Sequence, residues 1–187
     1  MRPILALLVL TLVPHAGGAQ ATSVEEPHPP TFFETFTRLF GIQKAIGDLR
    51  TLQLSDSAIE FRFLSVGWGI SGLRLARDAS GEWAAQRMDL EVGRAPKIDS
   101  MRVPTRTLDS LWNALVAEGL LTLPTHVPRT WGQLDGHSYM FELRRGQSYR
   151  AVHIEHVDKP EVPADDAIKR IVGILRRQFP FIGVPAR

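Results

Sequence analysis

His137, His156, Asp135 and Asp158 are the residues whose types and spacing come nearest to chemistry. His137, Tyr139, Phe141 and Leu143 alternate with Ser138, Met140, Glu142 and Arg144, and Val152 and Ile154 alternate with Ala151, His153 and Glu155. Such period-two patterning marks two half-buried strands. Gly146-Gln147 between them fits a two-residue type II′ turn, which needs glycine at its first central position. The turn pairs Arg145 with Ser148, hence Phe141 with Val152 and Tyr139 with Ile154. A slip of one residue would set Phe141 against Ala151 and lose the match of apolar with apolar. Carried outward, the register sets His137 opposite His156, with Cβ atoms roughly 5 Å apart, and puts Asp135 and Asp158 just beyond.

Two imidazoles and a carboxylate make a ligand set for zinc or iron(II) that keeps a position open for water. The chemistry would be metal-assisted hydrolysis. Against it stands a plainer reading: two partly exposed histidines at a strand end, an Asp135-Gly136 turn, and Asp158 in a loop. Nothing beyond the register brings in a third ligand, so the plainer reading is preferred. His153 adds no ligand, because neighbours on a strand point to opposite faces.

The other hairpin face offers binding rather than reaction. There Arg144 meets Tyr149, Glu142 meets Ala151, Met140 meets His153 and Ser138 meets Glu155, a mixed surface suited to a protein or glycan. Trp68 and Trp131 stand in glycine- and proline-flanked segments, where aromatics are often displayed. Trp68, Trp131, Tyr149 and Arg144 are therefore the candidate binding residues. The competing expectation is a solvated sheet face with both tryptophans folded back on the core.

Gly67-Trp68-Gly69-Ile70-Ser71-Gly72 spells a dinucleotide fingerprint. That mechanism needs a helix opening at the motif to hold the pyrophosphate, whereas Leu73 to Arg77 alternates as a strand. The segment reads as a glycine turn between strands, and no cofactor is expected, zinc being the alternative. Neither Ser65 nor Ser71 sits in G-x-S-x-G. No H-E-x-x-H or phosphate loop occurs. Carboxylates such as Asp89, Glu91, Asp135 and Glu142 could serve glycoside hydrolysis only if the fold brought two of them together.

These residues must be positioned by a chain of 187 residues that is 44% apolar and 22% charged, suited to one globular domain. Thr31-x-x-Glu34 is a capping box, opening a helix whose stripe is Phe32, Phe36, Leu39 and Phe40. It ends at Gly41 or runs through Ile42 and Ile46 to Gly47. Ile59 to Phe63 and Leu73 to Arg77 alternate as strands. Asp78 to Gly81 signals a turn, and Trp83 to Val92 reads as the returning strand. Pro96 to Pro104 reads as connector. Thr107 suits the cap of a helix from Leu108 to Glu118, with Gly119 at its left-handed end. The last helix runs from about Ala164 to Phe179, acidic at its start and basic at its end as the helix dipole favours. The order α-β-β-β-α-β-β-α predicts an α+β domain: a mainly antiparallel sheet of about five strands with helices packed on one face.

Residues 1–21 read as a signal peptide. A positive start precedes an apolar run about half the length a membrane span requires, then small residues with cleavage after Ala21 or Ala19. Residues 22–30 form a proline-bearing flexible leader, and 31–187 the domain. The expected location is periplasmic or extracellular, with no membrane span after cleavage. The chain has no cysteine, which excludes disulfides, a lipid anchor on cysteine, and thiolate chemistry. With 22 basic against 20 acidic residues the formal charge is +2, too small an excess for a nucleic-acid partner. The function expected is a non-catalytic binding module of the bacterial cell envelope.

Overall fold

The alternation Ile59-Glu60-Phe61-Arg62-Phe63 becomes the centre of the molecule. In the structure, a computed structural model that describes residues 41–66, 70–91, 94–125, 138–155 and 163–182, it forms β1 (Ile59–Val66). β1 pairs with β2 (Ile70–Arg77), setting Phe61 against Leu75 and Phe63 against Leu73. β3 (Trp83–Leu90) follows β2 antiparallel, after a turn in which Gly81 takes a φ of +92°. The hairpin of β5 (Ser138–Arg145) and β6 (Ser148–Glu155) docks on the other side of β1, with Phe61 against Leu143 and Phe63 against Phe141. Its internal register is the one the turn implies, from Arg145 with Ser148 to Ser138 with Glu155. Gly146 has the positive φ, +52°, that such a turn demands.

The described sheet has six strands in the order β4-β3-β2-β1-β5-β6, not about five. The additional strand is β4 (Lys97–Met101), inside the segment read as connector; it pairs along β3 from Ala85 with Met101 to Asp89 with Lys97. Its side chains are largely exposed and include the Lys97–Asp99 ion pair. An edge strand of this kind shows little apolar alternation, and its charges discourage pairing with another chain.

Two helices cover one sheet face. α2 (Thr105–Ala117) buries Leu108, Leu111, Trp112 and Leu115, and α3 (Pro163–Gln178) lays Ile168, Ile171, Val172 and Leu175 beside them. They close over Phe61, Phe63, Leu73, Leu75, Phe141 and Ile154. Phe63 and Phe141 lie 5.2 Å apart, and Trp112 meets Phe61 edge-on at 6.5 Å, distances at which aromatic pairs add to simple area burial. α2 starts two residues before Thr107, behind Pro104 and with no side-chain cap. The Pro104 carbonyl accepts the first bonds of the helix, from the backbone N–H groups of Thr107 at 2.9 Å and Leu108 at 3.2 Å. Gly119 does occupy the left-handed region, at φ +88°. No helix among the described residues is long and apolar enough to cross a membrane.

Helices do not keep to one face. α1 (Ile42–Ile46) packs on the opposite side, where Ile42 joins Leu64, Met88, Leu90 and Met140 in a second apolar cluster. Gly41 before it has φ +66°, a value outside the helical region, so Ile42–Ile46 is a separate turn of helix. The stripe expected from Phe32 to Phe40 lies outside the described residues. Beneath this cluster Gly72 leaves no room for a side chain: a Cβ there would stand 2.7 Å from Leu64 Cδ2, 2.8 Å from Met88 Cε and 3.1 Å from Met88 Cβ. The first two atoms can swing away; Met88 Cβ cannot. Gly72→Val is expected to cost about 1–3 kcal/mol through overpacking, read as a lower urea midpoint at unchanged m-value.

Candidate functional site

β1 has a neighbour on each side and packing on both faces, so its charged residues have no route to water. Glu60 and Arg62 are each 2% exposed and Glu142 on β5 is 3% exposed. With Arg74 on β2, Gln86 on β3 and Tyr149 on β6 they form a polar ladder across five strands. Arg74 grips Glu60 with two bonds, Nε to Oε1 at 2.8 Å and Nη2 to Oε2 at 2.7 Å, and donates through Nη1 to Gln86 Oε1 at 2.7 Å. Arg62 Nε donates to Glu60 Oε1 at 2.7 Å, while its Nη1 stands 3.5 Å from Glu142 Oε2. Tyr149 Oη donates to Glu142 Oε1 at 2.9 Å.

The ladder also straps down the chain before β1. Arg62 donates to the Gly47 carbonyl at 2.9 Å and the Ile46 carbonyl at 3.0 Å. Arg144 donates to the Arg50 carbonyl at 2.7 Å. Buried charges are tolerable only when paired and hydrogen-bonded, and here the two conditions are met unequally. Burial alone would raise the Glu60 carboxyl, but the hydrogen bond and charge of Arg74, with the charge of Arg62, outweigh it and hold the group below its usual range. At Glu142 burial dominates: against the charge of Arg62 and the Tyr149 hydroxyl it pushes the carboxyl up to about 7. Burial, then the adjacent carboxylate, drives the Tyr149 phenol above its ordinary value.

A carboxylic acid near neutrality beside a phenol has the composition of a general acid–base pair. Such a group must reach the proton it moves. Glu142 has its oxygens turned to Arg62 and Tyr149 and is closed off from solvent, so this arrangement serves as a latch.

The hairpin face expected to be either a binding surface or a solvated sheet is in fact mostly covered. Arg144 is 6% exposed and donates to the Gly146 carbonyl at 2.9 Å as well as to Arg50. Tyr149 is half-buried with its hydroxyl on Glu142. The structure thus brings Arg144 and Tyr149 together on the strapped face. Trp68, Trp131, Asp135, His137, His156 and Asp158 lie outside the described residues; pairing within the hairpin is described as far as Ser138 with Glu155. Among the described residues no group of three or more metal-ligating side chains occurs. Of the dinucleotide-like run, Gly67 to Gly69 lies outside the described residues, and Ile70 to Gly72 belongs to strand β2 rather than to a helix.

A second place has an open shape. At the turn end of the hairpin, on the face carrying α2 and α3, a cleft of about 250 Å³ is lined by Leu121, Leu143, Arg145, Ser148 and Arg150. The register builds it: Leu143 pairs with Arg150 and Arg145 with Ser148, so all four share a face. Leu121 comes from the 3₁₀ turn Leu120–Thr122 that follows α2. Arg150 Nη1 and Nη2 donate to the carbonyls of Leu121 and Leu123, which ties that turn to β6. Arg150 Nε is buried with no partner, an omission that costs about 1–3 kcal/mol. Arg145 and Ser148 are exposed at the rim. Sequence reading set Arg145 opposite Ser148 but attached no role to them, because the wall supplied by Leu121 is remote in sequence.

No protein-family model matches the chain, and no curated protein matches it in sequence.

Proposed function

We propose that the protein is an exported, non-catalytic binding module of the bacterial cell envelope, acting in the periplasm or outside the cell on a protein or glycan ligand. One contrast carries the reading. The buried carboxylates of Glu60 and Glu142 are taken up in the strapped ladder, whereas the open cleft is walled by leucines, arginines and a serine, groups that hold a ligand without a general base or nucleophile–base pair. The leader supports export through its basic start, apolar run and small residues.

A second reading keeps His137 and His156 as the centre of a metal-assisted hydrolase. It is supported by the hairpin register, which runs to Ser138 with Glu155, the pair next to those histidines in sequence. Purification of the full chain without a histidine tag separates the two. A binding module is expected to carry no stoichiometric zinc and to show the same melting temperature with and without added zinc. Stoichiometric zinc, with a rise in melting temperature that His137→Ala or His156→Ala abolishes, would replace the module with the hydrolase.

A further inference from the structure

We propose that residues 46–52 form a proton-gated strap, which lies closed over the buried ladder while Glu142 holds its proton and lifts off the sheet when Glu142 loses it. The inference goes beyond the binding-module reading and does not depend on it.

The geometry makes Glu142 the group on which closure turns. A guanidinium has five N–H groups, and the short bonds of Arg62 all go elsewhere. Nε donates to Glu60 Oε1 at 2.7 Å and Nη1 to the Gly47 carbonyl at 2.9 Å. Nη2 donates to the Ile46 carbonyl at 3.0 Å and stands 2.6 Å from Glu60 Oε1. Glu142 is left with Nη1 at 3.5 Å and a neutral donor, the Tyr149 hydroxyl at 2.9 Å. At 3% exposure it gains little from water. A buried carboxylate compensated so thinly is costly, whereas the neutral acid in the same place is not. The closed strap is part of the cause, because its carbonyls occupy the Nη groups that would otherwise turn to Glu142. One movement relieves the charge: departure of the strap admits water and frees Arg62.

The other charged groups on this face are already matched. Arg74 holds Glu60, and Arg144 donates to the carbonyls of Gly146 and Arg50. Asp48 and Arg50, on the strap itself, pair at 2.7 Å. Asp48 and Glu60 add negative potential at Glu142 and so favour its proton. Both are held below the usual carboxylate range and stay ionised near neutrality. His153 stands on the same face, opposite Met140, and Lys44 on α1 is exposed.

The strap is also built to move. Residues 47–52 belong to no helix or strand. They are held by the Arg62 and Arg144 bonds at either end and by Leu49, fully buried between them. Such a segment opens at lower free energy than the sheet beneath it. Gly47 supplies a hinge: its φ is +82°, and no atom lies within 4 Å of where a Cβ would stand. Lifting bares the Glu142 carboxylate, the Tyr149 hydroxyl and the guanidinium groups of Arg62 and Arg144, a polar surface open at neutral pH and shut in acid. In the closed state burial holds the Glu142 carboxyl at about 7, against an ordinary 4.5. Opening therefore grows as pH rises between those values and levels off above, where both states are ionised. At tenfold for each unit of difference, the whole rise is at most about 300-fold.

The test is hydrogen exchange of the full chain from pH 5 to pH 8, resolved to peptides covering residues 46–52 and divided by the intrinsic exchange rate at each pH. Strap opening is expected to rise at least about tenfold from pH 5 to pH 7 and then level off. At every pH it should exceed the opening of β1 by at least about tenfold, and low urea should accelerate β1 while leaving the strap nearly unchanged, the mark of a local event. Glu142→Gln, which can still accept the Tyr149 hydroxyl, should keep the strap closed with a flat pH profile, and His153→Gln should retain the rise. Carbon-13 NMR of the Glu142 carboxyl in the unaltered chain gives a reading that needs no variant: its midpoint should coincide with the pH at which opening levels off. A flat profile in the unaltered chain, a rise that survives Glu142→Gln or vanishes in His153→Gln, or a carboxyl midpoint more than about one unit from the plateau would overturn the proposal. So would a strap that exchanges at the rate of β1 with the same urea dependence.

Discussion

Arg62→Ala is expected to lower stability by about 3–5 kcal/mol, the usual cost of removing one partner from a buried ion pair. The loss of contact with Glu60 is the smaller part. Glu60 would keep Arg74, but Glu142 would lose the cation that faces it at 3.5 Å and remain almost wholly buried. The carbonyls of Ile46 and Gly47 would lose their donors in the same step, releasing the strap from Ile46 to Arg50 over the sheet. For a domain of this length each kcal/mol moves the melting temperature by about 2–4 °C, so a fall on the order of 10 °C is expected. Arg94→Ala is the control. Its pair with Glu91 is 73% and 62% exposed, and such surface pairs contribute about 0–1 kcal/mol. A double variant, Arg62→Met with Glu142→Gln, should recover part of the loss, because it withdraws the stranded charge along with its partner. Equal melting temperatures for Arg62→Ala and Arg94→Ala would mean that the ladder does not hold the strap.

Why Arg62 escapes a sequence reading is a matter of what alternation encodes. Ile59-Glu60-Phe61-Arg62-Phe63 states that the two faces of β1 differ; it does not say whether the polar face meets water or other charges. That depends on strand order, which sets β2 and β5 on either side of β1, and on residues 41–52, whose grip on the sheet comes from guanidinium–carbonyl bonds that have no periodicity. The β5–β6 hairpin, by contrast, was legible to the residue, since a two-residue glycine turn and an apolar match on one face admit one register. β4 was not legible, because an edge strand with exposed Lys97 and Asp99 lacks an inward-facing pattern. The cleft was half legible: local pairing predicts that Arg145 and Ser148 share a face, while Leu121 arrives through tertiary packing alone. Buried carboxylates are also rare enough that a strand glutamate is read as solvated by default.

Stability should rise as the pH falls from 8 towards 5, and Glu142→Gln should remove most of that rise. Glu142 titrates at about 7 in the folded protein, against an ordinary value of 4.5. Between those values the native state binds a proton that the unfolded chain has released, so unfolding becomes harder as protons become available. The slope approaches 1.4 kcal/mol per pH unit, and across the whole interval the contribution is at most about 3 kcal/mol. Glu60 and Asp48 act in the opposite sense. Their carboxyls are held below the ordinary range, so the stability they add is present above their unfolded values and is lost as pH falls through the lower folded ones. A maximum near pH 5 follows from the two trends together. His153, itself ionisable, shares the face of Glu142, opposite Met140; the informative quantity is therefore the difference between wild type and variant at each pH. The amide that replaces the Glu142 carboxyl can still accept the Tyr149 hydroxyl, and Arg62 retains Glu60 as its counter-ion. The variant is therefore expected to match or exceed wild type at pH 8 and fall behind it by pH 5. Urea unfolding at half-unit steps supplies the curves. Parallel curves would show that the carboxyl of Glu142 is ionised throughout, and that Arg62 compensates its burial as fully as Arg74 does that of Glu60.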